Sequence, residues 1–223
     1  PDNDFKNSGV PLPLIPAAQK ELTGVELFVP FCTIYQTDVH TDAQAGGKAG
    51  LFKKQKDIVY ADNSYFKMLP YKWLAGSPQN ALNEPYSAVL TESRAKTYFP
   101  NDDVTKVIGS VITYDTIKAT VTGIVKDLDE TTDFNFKEFI SYATRPQSQF
   151  TDPGQWGSVS SSDLLFIKLV KNISPASVTK QVQQLFNRNQ DEHNLNNIFS
   201  LQPLGDIHFN SDYSNFDQRL AHL

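Results

Sequence analysis

One cysteine, Cys32, occurs in 223 residues, so no intramolecular disulfide can form. A chain of this length buries roughly 70–75% of its unfolded surface and needs neither a disulfide nor a metal to hold a core. A lone cysteine suits the cytosol, and equally a bacterial periplasmic domain that avoids disulfides. Long hydrophobic runs are also missing. Nothing approaches the about 18 residues that a membrane helix needs, and a clear apolar run such as Leu164-Leu165-Phe166-Ile167 has strand length. Positive charge is scarce: Lys and Arg total 20 against 25 Asp and Glu, a net charge of −5. That balance argues against general nucleic-acid binding and against purely polybasic attachment to anionic lipid. The chain starts at Pro1 and has no basic region followed by an apolar stretch, so it reads as an excised piece of something longer.

Hydrophobic residues make up 39% and charged residues 20%, the balance of a globular chain rather than a disordered one. Four prolines in residues 1–16 predict an extended lead-in, followed by a short helix over Ala17–Leu22 that stops at Gly24. Val25–Thr37 reads as a strand, with Pro30 at an edge or bulge, and Leu51–Tyr60 as another. Asp62–Met68 suits a short capped helix, Ala88–Leu90 a strand, and Glu92–Tyr98 a helix capped by Thr91 and stopped by Pro100. Val107–Thr113 and Lys118–Val125 predict a hairpin around Tyr114-Asp115. Residues 145–161 form a polar loop and Leu164–Val170 a strand. Ser174-Pro175 opens a helix, cap then proline, whose Val178, Val182, Leu185 and Phe186 share one face. Ile198–Leu204 is the last strand candidate. The sum is a mixed α+β protein with a β-rich middle.

The search for chemistry returns fragments. Gly46-Gly47-Lys48-Ala49-Gly50 resembles part of a phosphate loop but lacks the upstream Gly and a Ser or Thr after the Lys, so turn chemistry is the reading. Asp127, Asp129, Thr131, Asp133 and Glu138 place oxygens at calcium-loop spacing, but Thr132 stands where that loop needs Gly; a solvated acidic turn is the reading and calcium the alternative. His40, His193, His208 and His222 show no metal-ligand spacing, though His208 lies near Asp206 and Asp212. Cys32, between Phe31 and Thr33, reads as a buried inert thiol. Asn172-Ile173-Ser174 fits a glycosylation pattern, but Pro175 follows. Phe134, Phe136 and Phe139 read as an inward-facing core edge, with a ligand groove as the alternative. No catalytic, cofactor-binding or metal residue is assigned.

An ordered series of short motifs carries more. An Asp62 followed by Tyr65 and Phe66 leads into Leu74-Ala75-Gly76-Ser77-Pro78 and then Ala81-Leu82. Val89-Leu90-Thr91-Glu92 follows, then Ala95 and Tyr98-Phe99, then Val121-Thr122-Gly123-Ile124-Val125. Near the end stands Leu201-Gln202-Pro203-Leu204-Gly205-Asp206-Ile207-His208. This series, over roughly residues 10–212, resembles the MacB-like periplasmic core domain of ABC-transporter permeases, in the version common in Bacteroidetes-type bacteria. Asp103-Val104-Thr105-Lys106-Val107 departs from the family's Pro- and Gly-containing turn. Gly76 and Gly123 read as turn or close-packing residues, and Phe66 and Phe99 as core.

The resemblance implies a porter-like α/β part built from residues 1–61 and 135–223, and an inserted β-rich, Sabre-like part over 62–134. It implies a place between the first and second membrane helices of a permease in the bacterial inner membrane, on the periplasmic side. It implies no enzyme activity and no cofactor in this segment, with ATP hydrolysed on a separate nucleotide-binding domain or subunit. Its implied role is transport or mechanotransmission. Implied partners are a second permease subunit, the same or homologous, the ABC ATPase, and a periplasmic adaptor or substrate protein. Nucleic acid is not among them, and the isolated domain is expected to be a monomer. A ligand- or peptide-sensing ectodomain is the alternative, and a soluble enzyme around Cys32 and His208 the third possibility.

Overall fold

The computed structural model describes residues 6–42, 49–128, 132–146, 154–190 and 197–207. The chain divides into two compact units, residues 1–28 with 147–223, and residues 29–146.

The first unit is organised by two helices, α1 (Leu14–Glu21) and α4 (Pro175–Asn189), and by β10 (Asp163–Leu169). α4 begins at Pro175, whose missing N–H is no loss in a first turn. Its predicted face is the buried one: Leu14 and Ala18 of α1 form a cluster with Val178, Val182 and Leu185, joined by Trp156, Leu165 and Phe199. Arg188 pairs with Glu21 across the two helices. Leu22 lies just beyond α1, and Gly24 adopts φ +78. The helix starts three residues before the expected Ala17, because Pro16 falls in the first turn, where an N–H would have no partner. The expected strand over Ile198–Leu204 is absent. Phe199 N–H donates to the Gln183 side chain (2.9 Å) and Leu204–Asp206 is a 3-10 turn, so side chains rather than a ladder hold this segment.

The second unit is built on a mixed sheet. β1 (Val25–Ile34) enters it from Phe31 onward, pairing antiparallel with β4 (Ile58–Ala61). The order then runs through β9 (Glu138–Ser141), β6 (Ser87–Thr91), β8 (Ile117–Val125), β7 (Val111–Tyr114) and β2 (Thr37–Thr41) to β3 (Gly50–Gln55), with β5 (Trp73–Ala75) also beside β8. β4–β9 and β6–β8 are parallel and the other pairs antiparallel. Pro30 precedes the first registered β1–β4 pair, so its missing N–H costs the β1–β4 ladder nothing.

Two helices cover this sheet. α2 (Asn63–Met68) is capped by Asp62, whose carboxylate accepts from Ser64 N–H. α3 (Glu92–Tyr98) is capped by Thr91 and leaves β6 toward β7, which precedes β8, the parallel partner of β6. The core holds Val39, Ile58, Leu90, Ile112, Val121 and Ile140, all fully buried, together with Cys32.

Sequence periodicity merged what the structure separates. Leu51–Tyr60 is two strands, because Asp57 at φ +63 breaks the run before Ile58. The hairpin's first strand starts at Val111, since Val104–Val107 forms a 3-10 turn. β2, β5 and β9 are strands that the pattern missed: β2 is polar in composition, β5 is three residues long, and β9 buries Glu138 among apolar neighbours.

Candidate functional site

The most concentrated polar chemistry among the described residues lies beneath α3. Glu138 is fully buried on β9. Arg94 Nε stands 3.0 Å from Glu138 Oε1, and Tyr98 OH donates to the same oxygen at 2.6 Å. Arg94 and Tyr98 fall on one face because they are four residues apart in a helix. The rest of the guanidinium is used as well: one Nη donates to Gln55 Oε1 (2.5 Å), the other to the Lys56 carbonyl (2.7 Å). Arg94 therefore joins α3 to β9 and to the end of β3, through the planar fork that only Arg supplies.

Electrostatics follow from this burial. Burial pushes the Glu138 carboxyl above its ordinary value, against the opposing pull of Arg94 and the Tyr98 and Tyr114 hydroxyls. Burial and then the Glu138 charge hold the Tyr114 phenol well above its ordinary value, and Tyr98 is raised for the same two reasons. Arg94 and the two phenols thus all converge on one buried carboxyl. The cluster pins elements together.

The acidic stretch resolves in the same way. Asp127 accepts from Ser93 N–H (2.8 Å) and Ser93 Oγ (2.5 Å), filling an orphan donor in the first turn of α3. Burial raises the Asp127 carboxyl, but the two Ser93 bonds outweigh it and hold it below the usual value. With Asp127 at α3 and Glu138 inside β9, two of the five calcium-spaced oxygens are committed elsewhere; Asp129 and Thr131 lie outside the described residues. Among the described residues no group of three or more His, Cys, Asp or Glu side chains is placed to hold a metal. Cys32 is buried in β1, and its Sγ donates to the Thr33 carbonyl at 3.8 Å. His40 is exposed on β2, whereas His193, His208, His222 and the Gly46-Gly47-Lys48 fragment lie outside the described residues.

The phenylalanines fill a core edge. Phe139 packs against Tyr65 (5.3 Å between centroids), Phe66 (5.0 Å) and Tyr71 (5.4 Å), while Phe136 meets Phe31 and Tyr65. The motif residues converge beside this layer. Asn63 donates to the Gln79 carbonyl and accepts from Leu82 N–H (2.9 Å). Thr122 Oγ1 donates to the Ala81 carbonyl (2.6 Å) and Ser141 Oγ to the Leu82 carbonyl (3.1 Å). Ala81-Leu82 is thus a loop clasped by α2, β8 and β9. Phe66 and Phe99 are buried. Sequence reasoning missed Arg94 and Glu138 as a pair. The spacing gave no signal, because 44 positions of chain separate a helix residue from a strand residue that the sheet brings together.

No curated protein sequence gives a significant match. Among solved structures, a domain of a putative permease from Porphyromonas gingivalis matches with a TM-score of 0.66 at 19% identity, over 88% of this chain and 87% of that one. The periplasmic region of MacB from Actinobacillus actinomycetemcomitans matches with a TM-score of 0.57 at 14% identity, covering 84% and 78%. The extracellular domain of the noncanonic ABC-type transporter YknZ from Gram-positive bacteria matches at 0.54 and 11%, covering 89% and 91%. At these identities the likeness is one of fold. The family model described as MacB-like periplasmic core domain matches residues 2–185, and the chain belongs to that family.

Proposed function

We propose that this chain is the extracytoplasmic domain of an ABC-transporter permease subunit in a bacterial inner membrane, and that it passes on work done by ATP hydrolysis elsewhere in the transporter. The observation that carries the reading is the family match over residues 2–185, joined by fold likeness to three transporter or permease domains across at least 84% of the chain. In this reading residues 1–61 and 135–223 are the porter-like part and 62–134 the Sabre-like part. The domain is non-catalytic. Its partners are a second permease subunit, an ABC ATPase, and a periplasmic adaptor or substrate protein.

Mechanical coupling asks a domain for firm units and for contacts that differ between two states. The Arg94 fork, the Asp127 bond to α3 and the clasped Ala81-Leu82 loop supply firmness. The test uses the full-length permease with its ATPase in lipid nanodiscs. Spin labels are placed at the exposed Lys180 of α4 in each permease subunit, with Cys32→Ser as background. The distance distribution between labels is expected to shift when ATP and vanadate are added. A distribution unchanged by nucleotide but shifted by a periplasmic ligand would replace coupling with sensing.

A further inference from the structure

Three of the chain's scarce cations stand within four residues, at Lys53, Lys54 and Lys56, and all three are exposed. They lie on and just after β3, the last strand of the sheet order among the described residues. Among the described residues none of the three makes an ion pair or side-chain hydrogen bond. The strand register leads across the sheet to a further lysine: Leu51 stands opposite His40, His40 opposite Thr113, and Thr113 opposite the exposed Lys118. Two large apolar side chains are displayed beside the cations. Leu51 is 52% exposed and Tyr35 is 81% exposed, with Lys56 Nζ 5.5 Å above the Tyr35 ring centre.

The surface is held in place by its backbone. Lys54 adopts φ +51 and its N–H donates to Asp38 Oδ1 (2.7 Å). Asp38 N–H donates to Asp115 Oδ1 (3.0 Å), and Asp115 Oδ2 accepts from Thr37 Oγ1 (2.6 Å). The Lys56 carbonyl is fixed by Arg94. Lysines and a kink on an edge strand are a common guard against edge-to-edge aggregation. That guard accounts for the lysines and for Lys54's conformation. It does not call for Leu51, or for Tyr35, which lies outside β3; both display large apolar side chains beside the lysines. Lysines without an ion-pair partner among the described residues, displayed apolar groups and a fixed backbone together describe a surface prepared for a partner of opposite charge.

We propose that the β3 edge from Leu51 to Lys56, with Tyr35, is a docking surface for an acidic, extended segment of a partner protein whose carboxylates alternate with apolar side chains. Carboxylates meet Lys53 and Lys56, and the apolar residues between them cover Leu51 and Tyr35. The inference concerns this surface alone and stands separately from the transporter role.

The probe is a synthetic peptide of alternating Glu and Val, with a Lys–Val peptide as control, added to the isotopically labelled chain and followed by amide NMR shifts. Shifts are expected at Tyr35 and Leu51–Lys56, with affinity falling steeply as salt is raised past about 0.1 M, where the screening length is about 10 Å. Lys53→Glu with Lys56→Glu is expected to weaken binding at least tenfold, and Tyr35→Ala by a comparable factor. These are surface substitutions, and an unchanged melting temperature shows that the variants fold. Absence of binding, equal binding of the Lys–Val peptide, or indifference to Tyr35→Ala overturns the proposal. Binding of phosphatidylglycerol vesicles in place of the peptide, with the same lysine dependence, replaces it with a lipid surface. Self-association that these substitutions abolish replaces it with a second copy of the chain.

Discussion

Gly76 and Gly123 stand back to back: a β-carbon on Gly76 would lie 2.8 Å from Gly123 Cα and 2.5 Å from the Thr122 carbonyl oxygen. Gly76 also holds φ +79, which an L side chain adopts only with strain. The obstructing atoms are backbone and cannot rotate away. Gly76→Ala is expected to destabilise the domain by about 2 kcal/mol or more, combining left-handed strain with overpacking. Gly109 provides the control, since it holds φ +88 but has nothing within 4 Å of an added β-carbon. Gly109→Ala is expected to cost only about 1 kcal/mol, from strain alone. Equal losses in urea titrations of the two variants would remove the close-approach argument.

Arg94 and Glu138 are expected to be far more costly to separate than to remove together. Arg94→Leu leaves a buried carboxylate without its charge partner and is expected to cost about 3–5 kcal/mol. The double variant Arg94→Leu/Glu138→Leu is expected to recover most of that loss. Chemical denaturation of the two singles and the double gives the coupling directly, and purely additive losses would contradict it.

Glu138 also sets a pH dependence whose sign is defined. Its folded-state pKa is raised by burial, so the folded form takes up a proton before the unfolded form does. The stability linked to that proton is fully present below the ordinary carboxylate value and is lost as pH rises through the folded value. Wild type is therefore expected to gain on Glu138→Gln as pH falls from 7 toward about 4.5. Comparing the two proteins removes the background of other carboxylates. A difference in melting temperature that is flat with pH, or that moves the other way, contradicts the assignment.

The extent to which these features were legible in the sequence follows from their range. Local chemistry was readable: Thr91 as a cap, Ser174-Pro175 as a helix start, and Val178, Val182, Leu185 and Phe186 as one face all depend on neighbours within a turn or two. The glycine motifs were readable as constraints but not as a contact, because Gly76 and Gly123 are brought together by β5 pairing with β8. Glu138 was unreadable as core, since an acid among phenylalanines looks like the polar half of an alternating strand until Arg94 arrives from another element. Tyr86, at φ +60 with its N–H bonded to Thr144 Oγ1, had no sequence signal at all.

Asp127 is expected to act as a remote cap. Asp127→Ala removes the acceptor of Ser93 N–H and is expected to cost about 1 kcal/mol, the usual value of a helix cap. Because its carboxyl is held below the usual range, that contribution is present above the ordinary carboxylate pKa and is lost as pH falls through the lowered folded value. Thermal melts of both proteins down the acid range check the point, and a loss that persists undiminished in strong acid contradicts it.

Tyr60, Tyr65, Tyr71, Tyr98 and Tyr114 all have phenols raised by burial, Tyr60 to about 12. The folded chain keeps these protons after the unfolded chain has released them, at about pH 10. Stability is therefore expected to fall as pH rises beyond that point. Phenolate absorbance from these residues is expected to appear together with loss of the folded circular dichroism signal. Smooth titration of all nine tyrosines in a still-folded protein would contradict their burial.

Above all, the proposed role makes this chain the outward-facing domain of a permease. Its most direct test is fractionation of cells expressing the full-length protein, followed by protease treatment of spheroplasts. The protein is expected to sediment with the inner membrane, and added protease to degrade this segment from outside while a cytoplasmic marker stays intact. Recovery of the protein in the soluble cytoplasmic fraction, or protection of this segment until the spheroplasts are lysed, would contradict it.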